Sequence, residues 1–155
     1  MNTKVEIIKY RPEYAKYFER FNREWIEEHY PLEPLDIYLL QNPEEAILKD
    51  GGEIFFARHE GQIIGTVAMK KKTDDEYELS KMGVTRNARG LGAGRLLCEA
   101  VIEEARSRGA RKVFLYSNTL QEVAIMLYRK LGFVEIPVEK GVYERANIKM
   151  ELGLI

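Results

Sequence analysis

Residues 76–117 restrict the fold more than any other stretch. An apolar strand pattern at 76–84 runs into a glycine-rich loop. A helical pattern follows from about 94 to 107, and a second strand pattern covers 112–117. Strand, helix and strand within about forty residues form a βαβ unit. Its two strands must be parallel and its crossover right-handed. Leu96, Leu97, Ala100, Val101 and Ala105 line one face of the helix, and Gly109 caps its end.

The strands upstream are joined differently. Patterns at 53–58, 62–70 and 76–84 are separated only by Glu60-Gly61 and Thr73-Asp74-Asp75, so they pair antiparallel. Residues 5–10 predict a first strand, which Pro12 closes. Tyr14, Tyr17, Phe18, Phe21 and Trp25 recur at helical spacing and end before Pro31 and Pro34. That aromatic stripe reads as core. A short helix at 36–41 and a turn at 43–48 follow. Downstream, a helix at 120–131 is expected to bury Leu120, Ala124, Leu127, Tyr128 and Leu131. Closing strands are expected at 133–138 and 147–152. The fold class is α+β: a mixed, mostly antiparallel sheet with one parallel crossover and helices on both faces.

At 155 residues, with 45% hydrophobic and 32% charged side chains, residues 1–155 read as one domain with a real core. A net charge of −1 argues against a nucleic-acid partner. One cysteine, Cys98, permits no internal disulfide, and with only His29 and His59 beside it no metal site is expected. Both histidines read as surface residues. No apolar run suits a membrane span or a signal core, so a cytoplasmic protein without a membrane partner is expected.

Arg86-Asn87-Ala88-Arg89-Gly90-Leu91-Gly92-Ala93-Gly94-Arg95 lies between a strand and a helix. Glycines let backbone come close to a ligand, and a helix start offers free N–H groups at a positive dipole end. Residues 86–112 hold 7 basic and 3 acidic side chains. Chemically this is a cradle for a diphosphate. A Walker loop would need Lys and Ser or Thr after the last glycine, where Arg95 and Leu96 stand. A dinucleotide fingerprint starting at Gly90 would need glycine or alanine where Arg95 stands. Both nucleotide readings fail. The plain alternative is a flexible turn with solvated arginines.

Arg89-x-x-Gly92-x-Gly94 resembles the Arg/Gln-x-x-Gly-x-Gly/Ala signature of the GNAT superfamily of N-acetyltransferases. Residues 77–84 resemble the strand before that loop. Ala124-Ile125-Met126-Leu127-Tyr128-Arg129-Lys130-Leu131-Gly132-Phe133 resembles the family's helix ending in Tyr-x-x-x-Gly-Phe, and Ile64-Gly65-Thr66-Val67 its strand with a central glycine. The resemblance implies a GNAT-like domain that moves an acetyl group from acetyl-CoA to a primary amine, by direct attack and without a metal. It implies that the backbone of Arg89, Gly90, Leu91, Gly92, Ala93, Gly94 and Arg95 holds the CoA pyrophosphate, and that Met82, Gly83 and Val84 pair with the pantetheine arm. Where many members carry a cofactor-binding asparagine this chain has Gln121, with Asn118 nearby. Either suits the role, and Asn118 is taken as the candidate.

An amine of pKa near 10 is mostly protonated at neutral pH, so a base must accept its proton. Glu78 stands where the resemblance places a glutamate base. Strand alternation predicts that Glu78, Ser80, Met82 and Val84 share a face and that Lys81 points away. Tyr128 is the implied acid for the departing thiolate. It also falls on the helix's buried stripe, where a hydroxyl still needs a partner. Cys98 reads as a packing residue rather than an acylated nucleophile.

For the acceptor, residues 13–45 carry 9 acidic and 3 basic side chains, a field that draws a cationic amine. Trp25 and Glu28 are candidate acceptor contacts. Arg145, with Tyr143 and Asn147 beside it, is a candidate clamp for a carboxylate, which would make the acceptor an amino acid or a peptide end. A small-molecule amine is equally open, and so is a homodimer. Two other functions fit the same pattern: a silent CoA-binding or sensory module, and transfer of a longer acyl group.

Overall fold

The computed structural model describes residues 4–139 and 143–155. One seven-stranded sheet carries the fold, in the order β1-β2-β3-β4-β5-β7-β6. Its strands are β1 (Val5–Lys9), β2 (Glu53–His59), β3 (Gln62–Thr73), β4 (Glu76–Val84), β5 (Lys112–Ser117), β6 (Val134–Ile136) and β7 (Ile148–Gly153). Every pair is antiparallel except β4 with β5. The mixed sheet with a single parallel crossover is thus the one the connections demand. β6 is shorter than its apolar pattern because Pro137 has no N–H to continue the ladder.

The helices divide between the two faces. α1 (Ala15–His29) and α2 (Pro34–Gln41) cover one, where Phe18, Leu39 and Leu40 pack on Ile54, Phe56 and Ala68. α3 (Ala93–Ser107) and α4 (Glu122–Lys130) cover the other, where Leu97, Val101 and Tyr128 join Val67, Met69 and Leu79. Both faces are dry, which explains the near-continuous apolar runs of the central strands. Leu120 departs from expectation: it precedes α4 and is exposed.

Two irregularities in β4 shape everything that follows. The first is its short pairing with β5, limited to Glu76 with Lys112, Tyr77 with Val113 and Glu78 with Phe114. β5 keeps pairing with β7 as far as Ser117, so β4 and β5 part beyond Glu78. The second is a bulge. Thr66 and Ala68 on β3 face Gly83 and Ser80 on β4, so two steps on one strand match three on the other. The extra residue is Lys81, whose φ of 52° lies in the left-handed region.

The bulge overturns the expected alternation. Glu78 and Ser80 oppose Lys70 and Ala68, on the α1/α2 face. Met82 packs with the α3/α4 cluster instead, as does Val84. Lys81 does not point away, because its side chain reaches Asp36 of α2 on the same face as Glu78. Gly83 lies hard under α1, where a Cβ would stand 2.9 Å from the Phe21 carbonyl oxygen.

Candidate active site

Where β4 and β5 part, a cleft passes through the sheet. Met82, Gln121, Ala124 and Tyr128 line it on the α3/α4 side. Trp25, Tyr30, Ser80, Lys81, Tyr143 and Arg145 line it on the α1/α2 side. Glu78, Tyr116 and Asn118 stand at the waist. Two ligands can therefore enter from opposite faces and meet inside. The strand edges at the gap also carry unpaired backbone groups, suited to a ligand with amides of its own.

The glycine loop opens beside this cleft. A single turn at 86–88 leads through Arg89 to Gly90, with φ of 93°, and Gly92, with φ of 80°, the residue that caps α3. Both conformations are left-handed, which is why glycine is required there. A Cβ at either would touch nothing within 4 Å, so the loop is open around them. The backbone N–H groups of residues 90–95 find no acceptor among the described residues, and no acidic side chain sits in the first turn of α3. Six adjacent free donors at a helix N-terminus can hold a dianion. Arg86 steadies the loop from behind: its backbone N–H donates to Glu24 and its guanidinium to Glu28.

Tyr128 is almost wholly buried against Phe133, yet its hydroxyl lacks a partner among the described residues and faces the cleft. Burial pushes its pKa up, with nearby Cys98 a lesser cause. It therefore stays protonated and serves as a hydrogen-bond donor. A tyrosine in water lies near a thiol in pKa, and that match is lost in this apolar setting. Cys98 lies at 3.5 Å from the Met82 sulfur, and burial pushes its thiol up to about 12, as a packing role requires.

Glu78 is buried at the waist. Desolvation raises its pKa, and Lys70, at 3.9 Å, and Lys81 offset this in part. A carboxylate raised in this way is a stronger base than one in water.

Arg145 meets a different partner from the one expected. Its guanidinium donates both Nη1 and Nη2 to Asp36, each at 2.7 Å, and Nη1 also to Glu33 at 3.1 Å. The carboxylate that it clamps belongs to the chain. Glu28 pairs with Arg86 and does not line the cleft, whereas Trp25 does, its indole N–H held by Asn22. Asn118 also turns inward. Its amide donates to the Arg145 carbonyl at 2.6 Å and accepts from the Leu120 N–H at 2.9 Å. Gln121 uses only its oxygen, on Ser117, so its NH2 remains available to the cleft. His59 is less exposed than expected, with a buried Nδ1 that has no partner among the described residues.

Lys81 is a site residue that sequence reasoning missed, and Asp36 counted only as one acid of the 13–45 stretch, not as the partner of Lys81 and Arg145. Asp36 lies at the N-terminus of α2, where it closes a capping box with Glu33. That signal, an acidic residue three places after another and beside Pro34, was readable as a helix start and nothing more. Among the described residues no cluster suits a metal ion, and no helix is long and apolar enough to cross a membrane.

The family model of the acetyltransferase (GNAT) family matches residues 13–133. The probable N-acetyltransferase camello of Xenopus tropicalis is 35% identical over 95 residues, which span 60% of this chain and 43% of that protein. The crystal structure of a GNAT-family acetyltransferase from Staphylococcus aureus superposes with a TM-score of 0.87 at 22% identity, covering 98% of this chain and all of that one. One from Salmonella typhimurium, solved with its cofactor acetyl-CoA, has a TM-score of 0.78 at 20% identity and covers 97% and 94%. The chain belongs to the GNAT family of acetyltransferases.

Proposed function

We propose that the protein is an acetyl-CoA-dependent N-acetyltransferase acting on a primary amine by direct attack. One observation carries this reading. A cleft where β4 and β5 part is lined by a phenol that has no partner among the described residues, and six amides without acceptors stand on the loop next to it, whose Gly94 adjoins Met82 of the cleft wall. These groups fit a long thioester anchored by a diphosphate. Acetyl-CoA, when bound, supplies an activated acetyl group. The N–H groups of residues 90–95 hold the pyrophosphate, and the free edge at Met82, Gly83 and Val84 pairs with the pantetheine amides. The Gln121 amide adds a donor, and Asn118 fixes the loop behind it. Glu78 accepts the proton that the acceptor nitrogen must lose as its bond to the acetyl carbon forms and the carbon–sulfur bond breaks. Tyr128 donates a hydrogen bond to the departing sulfur.

Tyr128→Phe tests this most directly. It removes one hydroxyl and leaves the packing against Phe133 intact. The expected result is a fall in kcat of about 10–100-fold, with acetyl-CoA affinity unchanged by titration calorimetry. Unchanged turnover would remove Tyr128 from the chemistry. Failure of the wild-type protein to bind acetyl-CoA would end the proposal. Binding without turnover of any amine would point to a silent CoA-binding module.

A further inference from the structure

The acceptor side of the cleft holds two cations, and the chain has already neutralised both. Lys81 Nζ donates to Asp36 Oδ1 at 2.6 Å and to the Tyr143 hydroxyl at 3.1 Å. Arg145 covers Asp36 in the two-pronged geometry described above. Asp36 Oδ2 also accepts the Glu33 N–H at 2.8 Å, so its carboxylate is fully used. The side chains of Lys81, Asp36 and Arg145 are 2%, 0% and 12% exposed. With Glu33, two carboxylates balance two cations. No other Lys, Arg or His lines the cleft among the described residues. The acceptor is left with aromatic rings, the neutral Ser80 hydroxyl and one buried carboxylate: Trp25, Tyr30, Tyr116, Tyr143 and Glu78.

Building on the acetyl-transfer reading, we propose that the acceptor is a primary amine on an apolar or aromatic body with no carboxylate on the carbon that bears the nitrogen. Asp36 is the residue that enforces this choice. An acceptor carboxylate would lose its water beside Glu78 and find no uncommitted cation among the described residues, so it is left buried without a counter-charge. An amine keeps favourable partners throughout. Its nitrogen has Glu78 to give its proton to, and an apolar body packs on the rings of Trp25, Tyr30, Tyr116 and Tyr143.

Coenzyme A release is measured on the wild-type protein with three acceptors of one body: phenethylamine, phenylalaninamide and phenylalanine. The amide matches the amino acid in bulk and differs in charge. Phenethylamine and phenylalaninamide are expected to exceed phenylalanine in kcat/KM by about 100-fold or more. Comparable turnover of phenylalanine overturns the proposal. Turnover of none of the three, with acetyl-CoA binding intact by calorimetry, overturns it while leaving the cofactor reading in place. Absence of acetyl-CoA binding takes both down. Asp36→Asn then tests the residue. Removing its charge leaves Glu33 on Arg145 and one positive charge, at Lys81, unmatched for an outside carboxylate, so the preference for the amide over phenylalanine is expected to shrink at least about tenfold, mainly through the KM of phenylalanine. An unchanged ratio in a folded variant removes Asp36 from the role. If that variant does not fold, the wild-type panel still decides the acceptor class.

Discussion

The two mouths of the cleft are built by opposite means. On the loop side the working groups are backbone amides from six consecutive residues, open to water, with Leu91 43% exposed among them. On the acceptor side they are buried side chains from three distant segments: Asp36 of α2, Lys81 of the β4 bulge, and Tyr143 with Arg145 before β7. Backbone amides come with every residue, so the loop asks of the sequence only glycines where φ is positive. The acceptor wall exists only when the whole fold is in place, because Asp36 and Arg145 lie 109 residues apart. Damage to the loop should therefore weaken binding and spare stability. Damage to the wall should threaten both.

Glu78→Gln should have the largest effect on rate and none on the loop. The expected loss in kcat is about 100- to 10,000-fold, with acetyl-CoA affinity unchanged. The pH profile adds a sign. Burial raises Glu78 above the ordinary carboxylate range, so kcat/KM should fall on acidification at a higher pH than a solvated glutamate would give. A raised folded pKa means that Glu78 contributes most to stability below its ordinary pKa and loses that contribution as pH rises through the folded value. The Gln variant should thus melt at a higher temperature than wild type at pH 7. It should show no such gain where Glu78 is already protonated. A variant that keeps its rate excludes Glu78 as the base.

Asp36→Ala should break the wall through stability. It leaves Lys81 and Arg145 buried without their shared carboxylate, an expected cost of about 3–5 kcal/mol, read from urea unfolding at neutral pH. Burial pushes the Asp36 pKa up, but the Arg145 and Lys81 contacts outweigh it and hold it at about 2, below its ordinary 3.8. That depression contributes about 2 kcal/mol above the ordinary value and is lost as pH falls from 3.8 toward 2. Wild-type protein should therefore lose an increment of stability in that window. A folded Asp36→Ala variant should lose less there, by that increment, because Asp75, Glu104 and Glu139 are also held below their ordinary values and still titrate.

Most of the fold was legible because it follows from connection lengths. Glu60-Gly61 and Thr73-Asp74-Asp75 force antiparallel neighbours, and the long path from Val84 to Lys112 forces a parallel one. The glycine loop was legible for the same local reason. The acceptor wall was not, and the obstacle was one residue. The bulge at Lys81 shifts the phase of β4, so Met82 and Val84 leave the face that Glu78 and Ser80 occupy. A two-residue period has no room for that extra step. The destination of Arg145 was hidden too. Its local neighbours, Tyr143 and Asn147, suit an external carboxylate, and nothing near it in sequence points to Asp36.

Gly92→Val sharpens the comparison from the loop side. A Cβ at this position meets nothing within 4 Å, so the main cost to the fold is the left-handed backbone, about 1–2 kcal/mol. Acetyl-CoA should nevertheless bind about 10- to 100-fold more weakly, because the branched carbon disturbs the amides that hold the diphosphate. Equal losses of stability and affinity would show that loop and fold are coupled here as they are at the wall.

Glu28→Gln should have the smallest effect, and it asks on which side of this divide the residue belongs. The acidic field of residues 13–45 suggested an acceptor contact. In the structure Glu28 instead holds the Arg86 guanidinium at 2.7 Å, behind the glycine loop and outside the cleft lining. That pair is largely exposed, and such pairs contribute little to stability. The Gln variant retains a hydrogen-bonding oxygen for Arg86. A loop brace predicts little change in stability, an acetyl-CoA affinity within about threefold of wild type, and an unchanged KM for the amine. A KM raised severalfold at constant acetyl-CoA affinity would return Glu28 to the acceptor side. The acidic face of α1 would then extend the wall beyond the cleft, and the boundary between the two mouths would fall at Arg86 rather than at the gap between β4 and β5.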